Sequence, residues 1–218
     1  MREVEEVLCQ DSSKDNYRFL ALDHDIKSLR HVKTRLQDDR LQYGIANAFQ
    51  IIKRNYAVAY PRQYAVMRCN PRNDFKGFGK LLAPMKYKII RLAETSFDLI
   101  YSAGLYDYIL TFDEKSKGAV ALTTHLFHLL KPGGTLIIGN FSPKNPLHVR
   151  FGMEYLYDWV LIYRGEKDMY RLANGIPESD IAEMTLLEEP LGINYFLKDR
   201  ETGYEDILLT TAKIICIY

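Results

Sequence analysis

The apolar run FLALDHD, residues 19–25, ends on two carboxylates, Asp23 and Asp25. A carboxylate has two acceptor oxygens and can take both hydroxyls of a ribose cis-diol, a bidentate geometry that neutral side chains match poorly. Asp23 is placed for that chemistry. In the alternative reading, Asp23 and Asp25 only cap the helix that starts at Ile26. A second group is YSAGLYDY, residues 101–108. Ser102, Ala103 and Gly104 are small, and small residues after a buried strand let backbone approach a ligand closely. Here too a bland alternative stands, a tight turn with no ligand. His125 and His128 lie three apart without a third ligand at suitable spacing, so no metal site is expected.

These residues need elements to hold them. YRFLALD reads as a strand, followed by a helix IKSLRHVKTRL with Ile26, Leu29, Val32 and Leu36 on one stripe. Residues 41–47, LQYGIAN, read as another strand. FDLIYSAG (97–104) is a buried strand, GAVALTTHLFHLL a helix stopped by KPGG, and TLIIGNF a second buried strand. The aromatic segment RFGMEYLYDWVLIYR (150–164) is expected to be helical. PESDIAEM starts a further helix or turn, MTLLEEPLGINYFLK reads as two strands joined at Pro190–Gly192, and EDILLTTAKIICIY could add one more. Strands alternating with helices predict an α/β fold, a parallel sheet with helices on both faces and a C-terminal antiparallel hairpin. Ligands in such sheets sit beyond the carboxyl ends of the central strands. The informative ends are Asp23–Asp25, Ser102–Leu105 and Asn140–Ser142.

The 218 residues suit one α/β domain with an elaborated insert. With 47% hydrophobic and 26% charged residues the chain reads as globular, and no run approaches eighteen apolar residues. Cys9, Cys69 and Cys216 are widely spaced, which suggests buried thiols in a reduced, cytoplasmic setting. The net charge of +1 hides an asymmetry. Residues 53–91 hold ten Lys or Arg against one acid, Asp74, so the remainder carries (+1) − (+9) = −8. Pro61, Pro71, Gly77, Gly79 and Pro84 break this block, which reads as a loop-rich insert with short extended pieces such as QYAVMR.

Taken together, FLALDHD, IANAF, FDLIYSAGLYDYI and LFHLLKPGGTLIIGNF occur in an order that resembles class I S-adenosylmethionine-dependent methyltransferases. NPLHVRFGMEYLYDWVLIYR narrows the resemblance to the extracellular-factor 3-hydroxypalmitic acid methyl ester biosynthesis family, a quorum-sensing role. The likeness spans about Arg2 to Leu197, apart from the basic insert. It implies a Rossmann-like sheet and S-adenosylmethionine as cofactor. Asp23 would bind its ribose, Asn47 and Ala48 would flank the adenine, and Ser102, Ala103 and Gly104 would line the methionine end. Tyr106, Asp107 and Tyr108 would sit at the catalytic position beside the acceptor. Asn140, Arg150, Glu154, Asp158, Trp159 and Tyr163 would form the acceptor-side wall or lid.

The sequence departs from that pattern at its start. Related proteins place a strand and a Gly-x-Gly loop immediately before the residues matching REVEEVL, and here Met1 stands at that point. The expectation is a sheet lacking its first, central strand, with two edges left unpaired between the Asp23 strand and the 97–102 strand. Methyl transfer to a fatty-acid carboxylate would need no strong base, because such an acid has a pKa of about 4.3 and is already ionised. Arg150 is the candidate to hold that carboxylate. A hydroxyl acceptor would instead need a base, Asp107 or His24. Two competing readings remain. Cations interleaved with Tyr56, Tyr60, Tyr64, Phe75, Phe78 and Tyr87 would suit an RNA acceptor, and a chain without its cofactor loop would suit a non-catalytic scaffold.

Overall fold

A computed structural model describes residues 17–25, 27–29, 31, 40–53, 56–61, 87–109, 112–113, 117–202 and 212–217. The expected REVEEVL helix, the QYAVMR piece and most of the IKSLRHVKTRL helix lie outside those residues. Among the described residues nine strands form the main sheet, in the order β4-β3-β2-β1-β11-β5-β8-β10-β9 with the following bounds. In chain order they are β1 (Tyr17–Asp23), β2 (Leu41–Ile45), β3 (Ala57–Pro61), β4 (Tyr87–Arg91), β5 (Phe97–Ser102), β8 (Leu130–Phe141), β9 (Ile181–Glu188), β10 (Asn194–Glu201) and β11 (Ala212–Ile217). A short hairpin, β6 (Phe112–Asp113) with β7 (Lys117–Gly118), stands apart. The helices are α1 (Ala48–Ile52), α2 (Ala119–Phe127), α3 (Leu147–Phe151) and α4 (Glu166–Arg171).

Five strands, β2, β1, β11, β5 and β8, run parallel to one another. Such strands are covered on both faces and need unbroken apolar runs, as FLAL and IICI supply. The antiparallel expectation also holds: β10 pairs with β8 and with β9. β10 alternates buried and half-buried positions, the period of a strand covered on one face.

The central position is where expectation and structure part. The two strand edges expected to stand unpaired between β1 and β5 are not: β11, from the other end of the chain, fills the place. β11 runs parallel to both neighbours, with Leu22 opposite Ile217 on one side and Ile217 opposite Ser102 on the other. Ile214 and Cys216 pack with Phe19 and Ala21 on one face, while Ile215 and Ile217 join the main core on the other. Asp98 anchors the strand's start. Its carboxylate accepts the Lys213 amide at 2.7 Å and the Lys131 ammonium at 2.8 Å, so one side chain links β11, β5 and β8.

Two other expectations need adjustment. Residues 150–164 are helical only through a π-helical turn at Gly152–Leu156, beyond which the chain is irregular to Gly165. At the ends of the basic insert two short extended pieces are strands, β3 and β4, which pair antiparallel and extend the sheet beyond β2; residues 62–86 between them lie outside the described residues. The KPGG junction does contain the expected left-handed glycine, Gly133 at φ 80°. A Cβ on the next residue, Gly134, would lie 2.8 Å from the Lys131 carbonyl oxygen and 3.0 Å from that of Phe97.

Candidate functional site at the carboxyl edge of the sheet

Asp23 ends β1, and Asp25 begins the turn beyond it. The two acids divide the work that the sequence left undecided. Asp25 is the cap: its Oδ1 accepts the Lys27 amide at 2.9 Å and its Oδ2 the Ser28 hydroxyl at 3.3 Å. Asp23 Oδ1 accepts the Asp25 amide at 2.8 Å and has the exposed His24 Nδ1 at 3.2 Å. Burial pushes the Asp23 carboxyl above its usual range, and the Asp25 amide opposes that shift.

Asn47 ends the neighbouring strand region and caps α1, its Oδ1 accepting the Phe49 amide at 2.9 Å. Ala48, the first residue of α1, packs against the core. Across β11, Ser102 is fully buried, and its hydroxyl donates to the Ile217 carbonyl at 3.2 Å. Ala103 and Gly104 follow. Gly104 sits at φ 75°, a conformation that favours glycine, and a Cβ there would meet nothing within 4 Å. The backbone turn is therefore open to solvent. The register places Asp23 and Ala103 two strands apart, roughly 10 Å at ordinary strand spacing.

The expected catalytic trio separates. Tyr106 points into the core. It is wholly buried, its hydroxyl lies 3.0 Å from Thr123 Oγ1 of α2, and burial pushes its pKa up. The spacing of YDY is a turn of 3-10 helix, Tyr106–Tyr108, which points successive side chains in different directions. Asp107 is also buried. Its Oδ1 accepts the Phe141 amide at 2.8 Å, and burial raises its carboxyl to about 6 against the opposing pull of that amide and of Arg164. Tyr108 alone of the three is exposed, and its hydroxyl accepts the Trp159 indole N–H at 2.6 Å.

The proposed wall residues come together in two sets. Arg150, Glu154 and Tyr163 form one. Arg150 donates to Glu154 Oε1 at 3.4 Å, Tyr163 donates to the same oxygen at 3.0 Å, and the guanidinium lies 4.5 Å from the Tyr163 ring centroid. Arg150 is thus already matched to a carboxylate of its own chain, at the i,i+4 spacing of a helical pair. The second set is Trp159 with Tyr108 and Phe141, the Trp159 and Phe141 rings meeting edge to face at 6.2 Å. Asp158 takes φ 50° at the bend between them. Asn140 is buried, donating from Nδ2 to the Ile162 carbonyl at 2.8 Å, so its amide is a strut and not a wall. His125 is buried with Tyr56 Oη 3.3 Å from its Nδ1.

No protein-family model matches this sequence, and no curated protein does. Solved structures match it in shape. The CMeT domain of the citrinin polyketide synthase superposes with a TM-score of 0.52 at 11% identity, over 93% of this chain and 52% of that one. A Thermobifida fusca protein assigned as a methyltransferase gives 0.50 at 11% identity, over 93% and 78% of the two chains. A Bordetella parapertussis protein described as a candidate for export gives 0.51 at 10% identity, over 93% and 68%. The fold is the class I methyltransferase fold. In that methyltransferase fold, β1, β11 and β5 hold the centre of the parallel sheet, and Asp23 and the Ser102–Gly104 turn face each other across the end of β11.

Sequence reasoning left two parts of the site unplaced. EDILLTTAKIICIY was readable as a further strand, from five unbroken apolar residues, IICIY, but its place between β1 and β5 was not. Arg164 closes the motif NPLHVRFGMEYLYDWVLIYR but carried no assigned role, yet it is buried and holds three segments of the site.

Proposed function

We propose that this chain binds S-adenosylmethionine at the carboxyl edge of β1, β11 and β5 and transfers its methyl group to a small carboxylic acid. The observation that carries the reading is the filled centre of the sheet. With β11 in place, the carboxyl edge carries an acid on one side of that strand and an open, glycine-containing turn on the other, an arrangement suited to a nucleoside-containing ligand. Bound there, the cofactor supplies an electrophilic sulfonium methyl. Asp23 keeps one oxygen on the Asp25 amide and offers the other to ribose hydroxyls. Ser102, Ala103 and Gly104 bring backbone groups against the methionine end, and Asn47 and Ala48 flank the adenine side.

On the acceptor side, Tyr108 and Trp159 form the exposed lip. Beyond them Leu147, Phe151, Tyr155, Leu156, Tyr157 and Val160 are exposed apolar side chains on one stretch of chain. That surface suits an acyl chain, and a 3-hydroxy fatty acid is the acceptor proposed. An ionised carboxylate needs no general base, so the protein's contribution is alignment and exclusion of water. Arg150 would hold the carboxylate by exchanging Glu154 for it. The residues that touch the acceptor in this reading are Tyr108, Trp159 and Arg150, with Tyr106 and Asp107 holding the turn beneath.

Calorimetry with S-adenosylhomocysteine tests the reading. Asp23→Asn keeps an oxygen for the Asp25 amide but replaces the other by a donor. Wild type binds, and the variant binds at least about tenfold more weakly, the loss of a charge-assisted hydrogen bond. No heat with wild-type protein sinks the proposal, as does equal affinity of the two.

A further inference from the structure

Arg164 is the largest fully buried side chain among the described residues. Its Nη1 donates to the Tyr106 carbonyl at 2.7 Å and to Asn140 Oδ1, and its Nη2 donates to the Ile109 carbonyl at 2.7 Å. Its own backbone amide donates to the Phe141 carbonyl at 3.0 Å. Around it a ring of bonds closes. Asn140 Nδ2 donates to the Ile162 carbonyl at 2.8 Å, the Ile162 amide donates to the Asp107 carbonyl at 2.9 Å, and Asp107 Oδ1 accepts the Phe141 amide. Three separate segments, 106–109, 140–141 and 162–164, are thereby fixed to one another.

A planar guanidinium can bridge carbonyls diverging in one plane, which a lysine ammonium on a flexible stem matches poorly. Such a group is costly to bury, and well-packed apolar side chains would serve stability as well or better. What it adds is a fixed geometry between the turn after β5 and the irregular strand of chain after the π-helical turn. Those are the segments that carry Tyr108 and Trp159, whose side chains meet at 2.6 Å at the lip. The donor-side turn, Ser102–Gly104, is held differently, by the sheet and by the Ser102 bond to Ile217.

We propose that Arg164 is a positioning residue for the acceptor half of the site, setting Tyr108 against Trp159 by clamping the carbonyls of Tyr106 and Ile109 to Asn140. This rests on the acceptor side assigned above. It separates two halves of one site: the clamp governs the lip and leaves the donor crevice alone.

Trp159 is the single tryptophan of the chain, so its emission reports on the lip without labelling. The test compares full-length wild type, Arg164→Met and Arg164→Lys, first confirming cooperative unfolding, then reading Trp159 emission and titrating S-adenosylhomocysteine. Arg164→Met is expected to shift Trp159 emission to the red in the folded state while S-adenosylhomocysteine affinity stays within about tenfold of wild type. Arg164→Lys falls between the two. A purely structural role would lower the melting temperature and leave folded-state emission unmoved, and that result overturns the proposal. Loss of S-adenosylhomocysteine binding with unchanged emission also overturns it. Wild type failing to bind S-adenosylhomocysteine contradicts the proposed function instead, and the emission comparison still decides the clamp. Should neither variant fold, amide exchange on wild type decides. The Phe141, Ile162 and Arg164 amides exchanging as one cooperative unit supports the clamp, and unrelated rates overturn it.

Discussion

At the scale of single residues, the molecule spends its buried charges unevenly. Arg164 is surrounded by acceptors, and Asp107 holds a backbone amide. Asp199, fully buried on β10, meets no hydrogen-bond partner for either oxygen among the described residues, and burial alone raises its carboxyl to about 7. A raised carboxyl binds its proton more tightly in the folded chain than in the unfolded one. Its contribution to stability is complete below the ordinary value of 3.8 and is lost as pH rises through about 7. Asp107 acts in the same sense through about 6. Urea midpoints should therefore fall between pH 5 and pH 8, and Asp199→Asn should flatten much of that fall, by on the order of a few kcal/mol. A wild-type midpoint rising over that interval would contradict the burial of Asp199. Tyr108→Phe makes a second, smaller prediction. It removes the acceptor of the Trp159 N–H and should shift tryptophan emission while leaving the melting temperature nearly unchanged, because both groups are exposed.

At the scale of elements, β11 shows what a local reading can and cannot find. Its apolar run identifies a strand, and its position next to a second apolar face is a matter of topology that no neighbouring residue encodes. Asp98, the side chain that anchors it, lies 115 residues away. The KPGG reversal was legible for the opposite reason, since Gly133 and Gly134 act within a few residues of one another, although they lie inside β8 while α2 already ends at Phe127. The π-helical turn was not legible: the aromatic periodicity that suggests a helix continues past Leu156, while the backbone leaves the helix to form the clamp with Asn140 and Arg164. Two substitutions test these elements. Ile215→Ala, in a strand covered on both faces, should cost about 2–5 kcal/mol by urea denaturation. Leu187→Ala, on the exposed edge strand β9, should stay within about 0.5 kcal/mol. Equal effects would place 212–217 outside the core. Gly134→Ala pushes a methyl against two backbone oxygens that cannot rotate away and should cost about 1–3 kcal/mol.

At the scale of the whole molecule, the run FLALDHD belongs to a sheet whose central strand comes from the far end of the sequence. Five parallel strands present their carboxyl ends on one edge, and the acid, the open turn and the aromatic lip all stand there. The sequence order predicted that edge correctly and its middle wrongly. Among the described residues no helix is long and apolar enough to cross a membrane. β11 completes the sheet, and the proposed donor site depends on it. Amide hydrogen exchange on the full chain, with and without S-adenosylhomocysteine, tests it most directly. Amides of 214–217 should be among the slowest in the chain, and the ligand should slow exchange at 23–25 and 102–105. Fast exchange through 214–217, or ligand protection confined to other segments, would contradict it.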